Sequence, residues 1–499
     1  MSFTPYRLFA MKLAPIFSVS LAMLLAACAH PPSTGNATSP APSLADVAAA
    51  QWQAPLAHNG QLADMHQWWQ RQGDSLLVAL IDAAQAASPS LATAASRIEQ
   101  SRANLLSSRA AGAPTLDASA SASRAQVAAF PTTPPSNTLQ LGLLAGWEID
   151  LFGTNRAASS AALERLASAQ ALWHEARVSV AAETASQYIQ YRACTTQLAL
   201  TRQDAASKSE TTRLLGISSK AGFTASGQME MARATAADAA NQALVVAAQC
   251  EVMVKALVAL TGLPERDLKA RLMAAPAGGS PEIPVYVASI PAEALSQRPD
   301  LHAASRDIAA ASQDLASTEA QRYPRLSLSG SIGAISVNTG GGGSELTTWS
   351  IGPLALSIPL IDGGRRAANT LAAKARYDEA VALYRSKVRQ AVREVEEALV
   401  NLQATADRSA PSDAATKAWR ASLEAAIVRQ QSGFASQLEV EDSRRMALAA
   451  EVGRLGLQRD RLLAWVNLYR AVGGGWRLEQ DAIAAAKADS PPNKATKPP

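Results

Sequence analysis

Leu139-Gln140-Leu141-Gly142-Leu143-Leu144-Ala145-Gly146-Trp147-Glu148-Ile149 runs directly into Asp150-Leu151-Phe152-Gly153-Thr154-Asn155-Arg156, and this junction decides the fold. Up to Ile149 the apolar residues Leu139, Leu141, Leu143, Ala145, Trp147 and Ile149 alternate with Gln140, Gly142, Gly146 and Glu148. A period of two puts one set on each face of a β-strand. From Thr154 to Leu215 there is then no glycine and no proline, and helix-forming residues such as Ala, Leu, Glu, Gln and Arg dominate. A helix over 154–215 would be about 93 Å long at about 1.5 Å per residue. Gly216, Gly222 and Gly227 then cluster, and Gly227 to Gly262 encloses a second unbroken run, so an antiparallel helical hairpin is expected. Helices far beyond the globular average of about 11–12 residues cannot bury themselves in a ball. They need neighbours along their whole length, and hence other chains.

Working outward, the same text appears again. Pro89-Ser90-Leu91 recurs as Pro299-Asp300-Leu301, Ala113-Pro114-Thr115-Leu116 as Tyr323-Pro324-Arg325-Leu326, and Gly153 to Ala157 as Gly363 to Ala367, all at one spacing. Gly222-Phe223 and Gly262 answer to Gly433-Phe434 and Gly473, one residue further along. This spacing is far too long for a solenoid repeat of about 20–50 residues, so the chain is a duplicated half. In the second half an unbroken run over 365–410 meets Pro411, which should interrupt or kink the helix. Tyr377, Val381, Tyr384, Val388, Ala391, Val395, Ala398 and Leu402 follow steps of four and three there, the 3.5-residue period of a coiled-coil seam.

Each half also carries a second strand. Leu326, Leu328 and Ile332 alternate with Ser327, Ser329 and Ser331, and residues 115–127 and 347–358 supply partners. The breakers Pro131 to Pro135 and Gly340 to Gly343 separate them. The glycine tetrad lacks the Lys-Ser/Thr and helix start of a phosphate cradle and reads as an external loop. Strands of about 10–13 residues suit a membrane crossing, which needs about 9–11. Four strands cannot close a barrel, and open edges are not tolerated in lipid. Three copies would supply about twelve strands, a small barrel of ordinary size.

The N-terminus gives the address. Arg7 and Lys12 precede an apolar run from Leu13 to Leu25, and Leu25-Ala26-Ala27-Cys28 follows. The run is too short to span a membrane and resembles a bacterial lipoprotein signal. That implies removal of residues 1–27 and a covalent lipid on Cys28; the alternative is an ordinary signal with a chance cysteine. Ala29 after the cysteine favours outer-membrane sorting. Residues 28–64 read as a flexible Pro-, Ser- and Ala-rich tether, and 477–499 as a disordered Lys- and Pro-rich tail. Between them lie two repeats, 65–275 (strand hairpin 115–150, helical hairpin 154–262) and 276–476 (strand hairpin 325–359, helical hairpin 365–472). A net charge of +4 spread over 499 residues, with no basic stripe, argues against a nucleic-acid partner.

Trp147-Glu148-Ile149-Asp150-Leu151-Phe152-Gly153 resembles the strand-to-helix signature of the outer-membrane efflux proteins, the TolC/OprM class. Arg298-Pro299-Asp300-Leu301, Arg322-Tyr323-Pro324-Arg325-Leu326 and Pro359-Leu360-Ile361-Asp362-Gly363-Gly364 are similar to its second-half signatures. The lipobox points to the lipoprotein, NodT-like branch. Ile361 departs from the usual Phe, a packing change. The resemblance implies a mainly α fold with a small membrane β-barrel: two tandem repeats whose long helical hairpins form a periplasmic α-barrel, and four strands per chain completing a trimeric twelve-stranded barrel. It implies a homotrimer in the outer membrane that serves as a passive duct, with a periplasmic adaptor and an inner-membrane transporter as partners. It also implies that the hairpin turns form the entrance, closed at rest. On that pattern Gly222, Phe223, Gly433, Phe434, Gln437 and Glu439 are the entrance candidates. A ring of Glu439 carboxylates would repel anions; alternatively Glu439 is a solvated helix-start acid favoured by the dipole. The two turns look unequal, since Glu230 lies two residues further past Gly222 than Glu439 lies past Gly433.

Cys194 and Cys250 are centred on residue 222, so an antiparallel hairpin sets them at one level. In the oxidising periplasm they are a disulfide candidate if their Cα atoms approach within about 7 Å. The loop would favour folding by roughly 4 kcal/mol in the chain-entropy account; the alternative is two buried free thiols. The five histidines (His30, His58, His66, His174, His302) show no metal-ligand spacing and no nucleophile motif stands out, so no catalytic, metal or cofactor residues are assigned. A protein-secretion duct is the alternative within the channel reading, and a pore-free periplasmic coiled-coil scaffold the alternative outside it. The lipobox favours efflux, and the four amphipathic strands argue against the scaffold.

Overall fold

The paired lengths of the elements show the duplication directly. A computed structural model describes residues 42–48, 52–54, 68–71, 73–126, 135–275, 294–339 and 342–476. In chain order these form α1 (Leu44–Val47), α2 (Trp68–Arg71), α3 (Ser75–Ala87), α4 (Pro89–Ala110), β1 (Thr115–Ala125), β2 (Ser136–Ile149), α5 (Thr154–Lys220), α6 (Ser226–Thr261), α7 (Glu265–Ala274), α8 (Pro299–Ala320), β3 (Arg325–Thr339), β4 (Gly342–Ser357), α9 (Arg365–Gln431) and α10 (Gln437–Ala471). Helices α4 and α8 are both 22 residues long, and α5 and α9 are both 67. At about 1.5 Å per residue the last two are about 100 Å each.

The chain divides into two units. One contains residues 108–159 and 312–375, the other 43–107, 160–311 and the chain from 376 onward. In the first, the four strands form one antiparallel sheet in the order β1-β2-β3-β4. The strands are 11, 14, 15 and 16 residues long, so three exceed the expected 10–13. The excess in β3 and β4 comes from the glycine tetrad: Gly342 and Gly343 pair with Thr339 and Asn338 inside the ladder rather than in a loop. Gly352 and Pro353 fall at an irregularity of β4 between the Leu328 and Gly330 pairings, a place where a residue without an N–H is tolerated.

In the second unit the heptad seam is buried: Tyr377, Tyr384, Val388, Ala391, Val395, Ala398 and Leu402 all lie in the main core with Leu77, Leu80, Tyr188, Leu257 and Leu468. Two expectations need correction here. Pro411 does not end its helix, because α9 runs unbroken from Arg365 to Gln431. The lost N–H bond is local, while packing against α10 continues beyond it, as the Thr416 hydroxyl on the Ala450 carbonyl shows. The segment read as a flexible tether is docked over its described residues. Ser43 caps α1 with a full capping box, Leu44, Val47 and Ala48 pack on the core, and Trp52 and Ala54 are buried. The Glu396 carboxylate accepts the Gln53 and Ala54 amides at 2.6 and 2.7 Å. Cys28 and the tail 477–499 lie outside the described residues.

Candidate functional site: a two-faced sheet and the helical tips

Antiparallel partners in register point to the same side of a sheet, so the pairing sorts the side chains into two faces. Leu139, Leu141, Leu143 and Trp147 of β2 stand beside Ser336, Ala334, Ile332 and Leu328 of β3, and beside Ala122, Ala120 and Ala118 of β1. Trp349, Leu354 and Leu356 of β4 continue the same face. It is mainly apolar across all four strands, with Ser336, Thr347 and Glu345 also on it, and largely exposed, with Leu141 at 52% and Trp349 at 73%. The other face carries Ser119, Ser121, Gln140, Gly142, Glu148, Ser327, Ser331 and Ser350, and the Ser331 and Ser350 hydroxyls lie 2.9 Å apart. Gly142 and Gly333 face each other, and a Cβ on Gly333 would meet the Leu141 carbonyl at 2.8 Å. Among the described residues, β1 and β4 each keep one unpaired edge.

The two helical turns have the same backbone. Gly222 and Gly433 both adopt φ +81°, and the Phe223 and Phe434 amides close back onto Ser218 and Arg429 carbonyls in matching Schellman turns. The next helices begin three residues later at the caps Ala225 and Ser436. The expected inequality is therefore not in the loop but in its chemistry: Ser436 caps its helix through the Glu439 amide, whereas Ala225 has no side chain to do so. Phe223 and Phe434 are among the most exposed apolar side chains, at 86% and 78%.

Glu439 accepts from Arg429 Nη1 at 2.6 Å, and Arg429 also donates to the Phe434 carbonyl. That pair ties the second turn to itself. The acid that reaches across the chain is Glu441, two residues on and fully buried. It accepts from the Ser207 hydroxyl of α5, from Arg444 Nη1 at 2.6 Å and from Gln437 Nε2 at 3.2 Å. Arg445 donates to Thr211 Oγ1, again on α5, at 3.2 Å and pairs with Asp442. Sequence reasoning missed Glu441. Its signal was position: Glu441 stands seven residues before the buried Leu448 on the packed face of α10.

Cys194 and Cys250 are bonded, with Cα atoms 5.7 Å apart, and form a small cluster with Val246 separate from the main core. With the Thr212 hydroxyl on the Ala232 carbonyl they join α5 to α6. Ser207–Glu441 and Arg445–Thr211 join α5 to α10, and Arg420–Glu451 at 2.7 Å joins α10 to α9. The four long helices thus follow the order α6-α5-α10-α9.

Higher up, two polar knots hold the helices. Arg298 donates to Asp300, to Glu394 of α9 and to the Ala471 carbonyl at the end of α10. Burial opposes its charge, but the two carboxylates outweigh that and hold the guanidinium above its ordinary pKa. Tyr188 donates to Asp74, which also caps α3, and accepts from Arg192. Burial first, and the Asp74 carboxylate second, push the Tyr188 phenol up to about 12. His302 packs against Trp476 and accepts from Arg306.

Comparison with known proteins agrees with this geometry. The family model described as outer membrane efflux protein matches residues 80–263 and again 290–474, once for each half. The chain is 31% identical to the outer membrane protein OprJ of Pseudomonas aeruginosa, over 93% of this chain and 96% of that one. It is 29% identical to the toluene efflux pump outer membrane protein TtgI of Pseudomonas putida, over 87% of this chain and 93% of that one. Among solved structures, the outer-membrane channel OprN superposes with a TM-score of 0.75 at 26% identity, covering 86% of this chain and 97% of that one.

Proposed function

We propose, from the premise that the chain belongs to the outer membrane efflux protein family, that three copies of it form one duct through which small toxic organic compounds leave the cell. The protein is an outer-membrane channel of a tripartite efflux pump, lying in the outer membrane and extending into the periplasm. The observation that carries the trimer is the sheet. A mainly apolar face across four strands fits lipid, and the two free edges need partners there. The β1 edge of one copy pairing with the β4 edge of the next closes twelve strands. The opposite, serine-rich face then lines the passage.

Helix α6 supports the same assembly. Its buried stripe runs through Ala232, Ala239, Val246, Cys250, Val254 and Leu257; Ala232, Val246 and Cys250 meet α5, while Val254 and Leu257 enter the main core. Leu244, Ala248 and Val252 lie on the opposite side of the helix at steps of four, and Leu244 and Val252 are exposed at 71% and 67%. A helix apolar on two opposite sides is a stave with a neighbour on each. Helices α6 and α9 are the end staves, so α9 of the next copy covers the open side of α6.

The duct is passive, and an inner-membrane transporter joined by a periplasmic adaptor drives export. Relatives named for pumps of toluene, solvents and pyoverdine support a small-molecule cargo over secreted protein. A lipid on Cys28 anchors the N-terminus, and the Cys194–Cys250 bond is retained in the oxidised periplasm. The tips gate the entrance, with Glu441 and Arg445 holding the second hairpin against α5. Deleting the gene should raise sensitivity to hydrophobic toxicants, and complementation should restore resistance. Unchanged sensitivity and unchanged accumulation of a fluorescent efflux substrate would overturn the efflux reading.

A further inference from the structure

The main core ends along the first helical hairpin at Tyr188 on α5 and Val254 on α6. Just beyond it the two helices leave that shared packing. What remains between them toward the turn is thin. Cys194, Val246 and Cys250 form a cluster of their own, with Leu198 and Met253 beside it. After that come the buried Ala239 and Ala232, the Thr212–Ala232 hydrogen bond, the Met229 side chain beside Gly216 and the Ser218–Thr224 pair at the turn. Small side chains on a helix pair leave little to resist rotation of one helix about its axis, because few atoms interlock. The disulfide sits at the end of the main core, where that resistance falls off.

Rotation matters because α6 is apolar on two sides. Cys250 is on the stripe that faces α5, and Leu244, Ala248 and Val252 are on the side directly away from it. Fixing Cys250 on Cys194 therefore fixes the direction in which the second stripe points. This inference rests on the trimeric reading given above, in which that stripe meets α9 of a neighbouring copy.

We propose that formation of the Cys194–Cys250 bond licenses subunit assembly: the oxidised chain presents the Leu244–Val252 stripe in register for a second copy, and the reduced chain does not. The two thiols give up two protons and two electrons to a disulfide-bonded periplasmic oxidant, whose own disulfide becomes two thiols. Both cysteines are buried in the folded chain, at 6% and 5% exposure. Oxidation therefore precedes close packing of the hairpin, and the bond is afterwards shielded from thiol exchange. Assembly is thereby confined to the oxidising compartment.

The deciding comparison, reduced against oxidised chain, uses the natural sequence. Denatured chain is refolded into detergent micelles in the oxidised state and, in parallel, with excess dithiothreitol. Helix content is read by circular dichroism and subunit number by light scattering. The expected result is full helix content in both and at least a tenfold slower appearance of trimer in the reduced sample. A Leu244→Asp chain should remain monomeric in either state. Equal assembly of reduced and oxidised chains overturns the inference, and so does a reduced chain that regains no helix, since the bond then serves folding alone. If the natural chain is not trimeric in either state, the trimeric reading itself fails. Free thiols found by mass mapping in trimer from the cell would remove the disulfide.

Discussion

Glu439 and Glu441 are two residues apart, and they do different work. The Glu439–Arg429 pair is exposed on both sides, at 42% and 55%, and surface pairs of this kind contribute about 0–1 kcal/mol. Glu439→Ala should leave single-channel conductance unchanged. Glu441 is fully buried between Ser207, Gln437 and Arg444, so Glu441→Gln weakens the tie from α10 to α5. Planar-bilayer recording should then show larger conductance steps; identical steps in Glu441→Gln would remove it from the gate. The family pattern drew attention to Glu439, because an acid after a turn reads as an entrance residue. Helical spacing already sets Gln437 and Arg444 beside Glu441, but its burial is not legible in one chain of text, since the Ser207 partner on α5 meets it only in the fold. Tyr188 carries a pH signature. Its folded value of about 12 lies above its ordinary 10.0, so above pH 10 the unfolded chain releases a proton that the folded chain keeps. Stability is then full below about pH 10 and declines between 10 and 12. Thermal unfolding of Tyr188→Phe should show a shallower decline over that window than the natural protein.

At the scale of elements, periodicity was enough for the strands, the helical hairpins and the Tyr377–Leu402 seam. It failed where tertiary packing overrides a local rule. Pro411 breaks helices in isolation, at a cost of about 3 kcal/mol, yet α9 passes through it because α10 continues alongside. Pro411→Ala should raise the thermal midpoint of the assembled protein; a lower midpoint would mean that the proline shapes the helix productively. The Ser43–Ala54 stretch misled in the opposite direction. Its Ala-rich composition, within the Pro-, Ser- and Ala-rich N-terminal segment, hid Trp52, whose burial beside the Glu396 clamp no compositional argument could locate. The sheet gives a sharper prediction. Leu141→Arg on the apolar face should cost about 2–4 kcal/mol near the bilayer centre and reduce folded protein in the membrane. Ser331→Arg on the other face should fold normally and change ion selectivity. Equal effects of the two would contradict the assignment of faces.

For the whole molecule, duplication explains why the chain is long and still incomplete. Each half supplies two strands and two long helices, and both sets end in free edges: β1 and β4 in the sheet, α6 and α9 among the helices. The repeat was readable from landmarks at a constant spacing, and so was the need for more copies. The order α6-α5-α10-α9 was not, because it depends on contacts such as Ser207–Glu441 that link the halves. The account stands on the closure of those edges by identical copies. The most direct test is a cysteine at Ser119 in β1 combined, one at a time, with cysteines from Thr347 to Ile351 in β4, oxidised in outer-membrane vesicles and run on a denaturing gel. The account predicts that at least one pairing gives a ladder of dimer and trimer that stops at three. A ladder that continues past three, or no cross-link in any pairing, would contradict it.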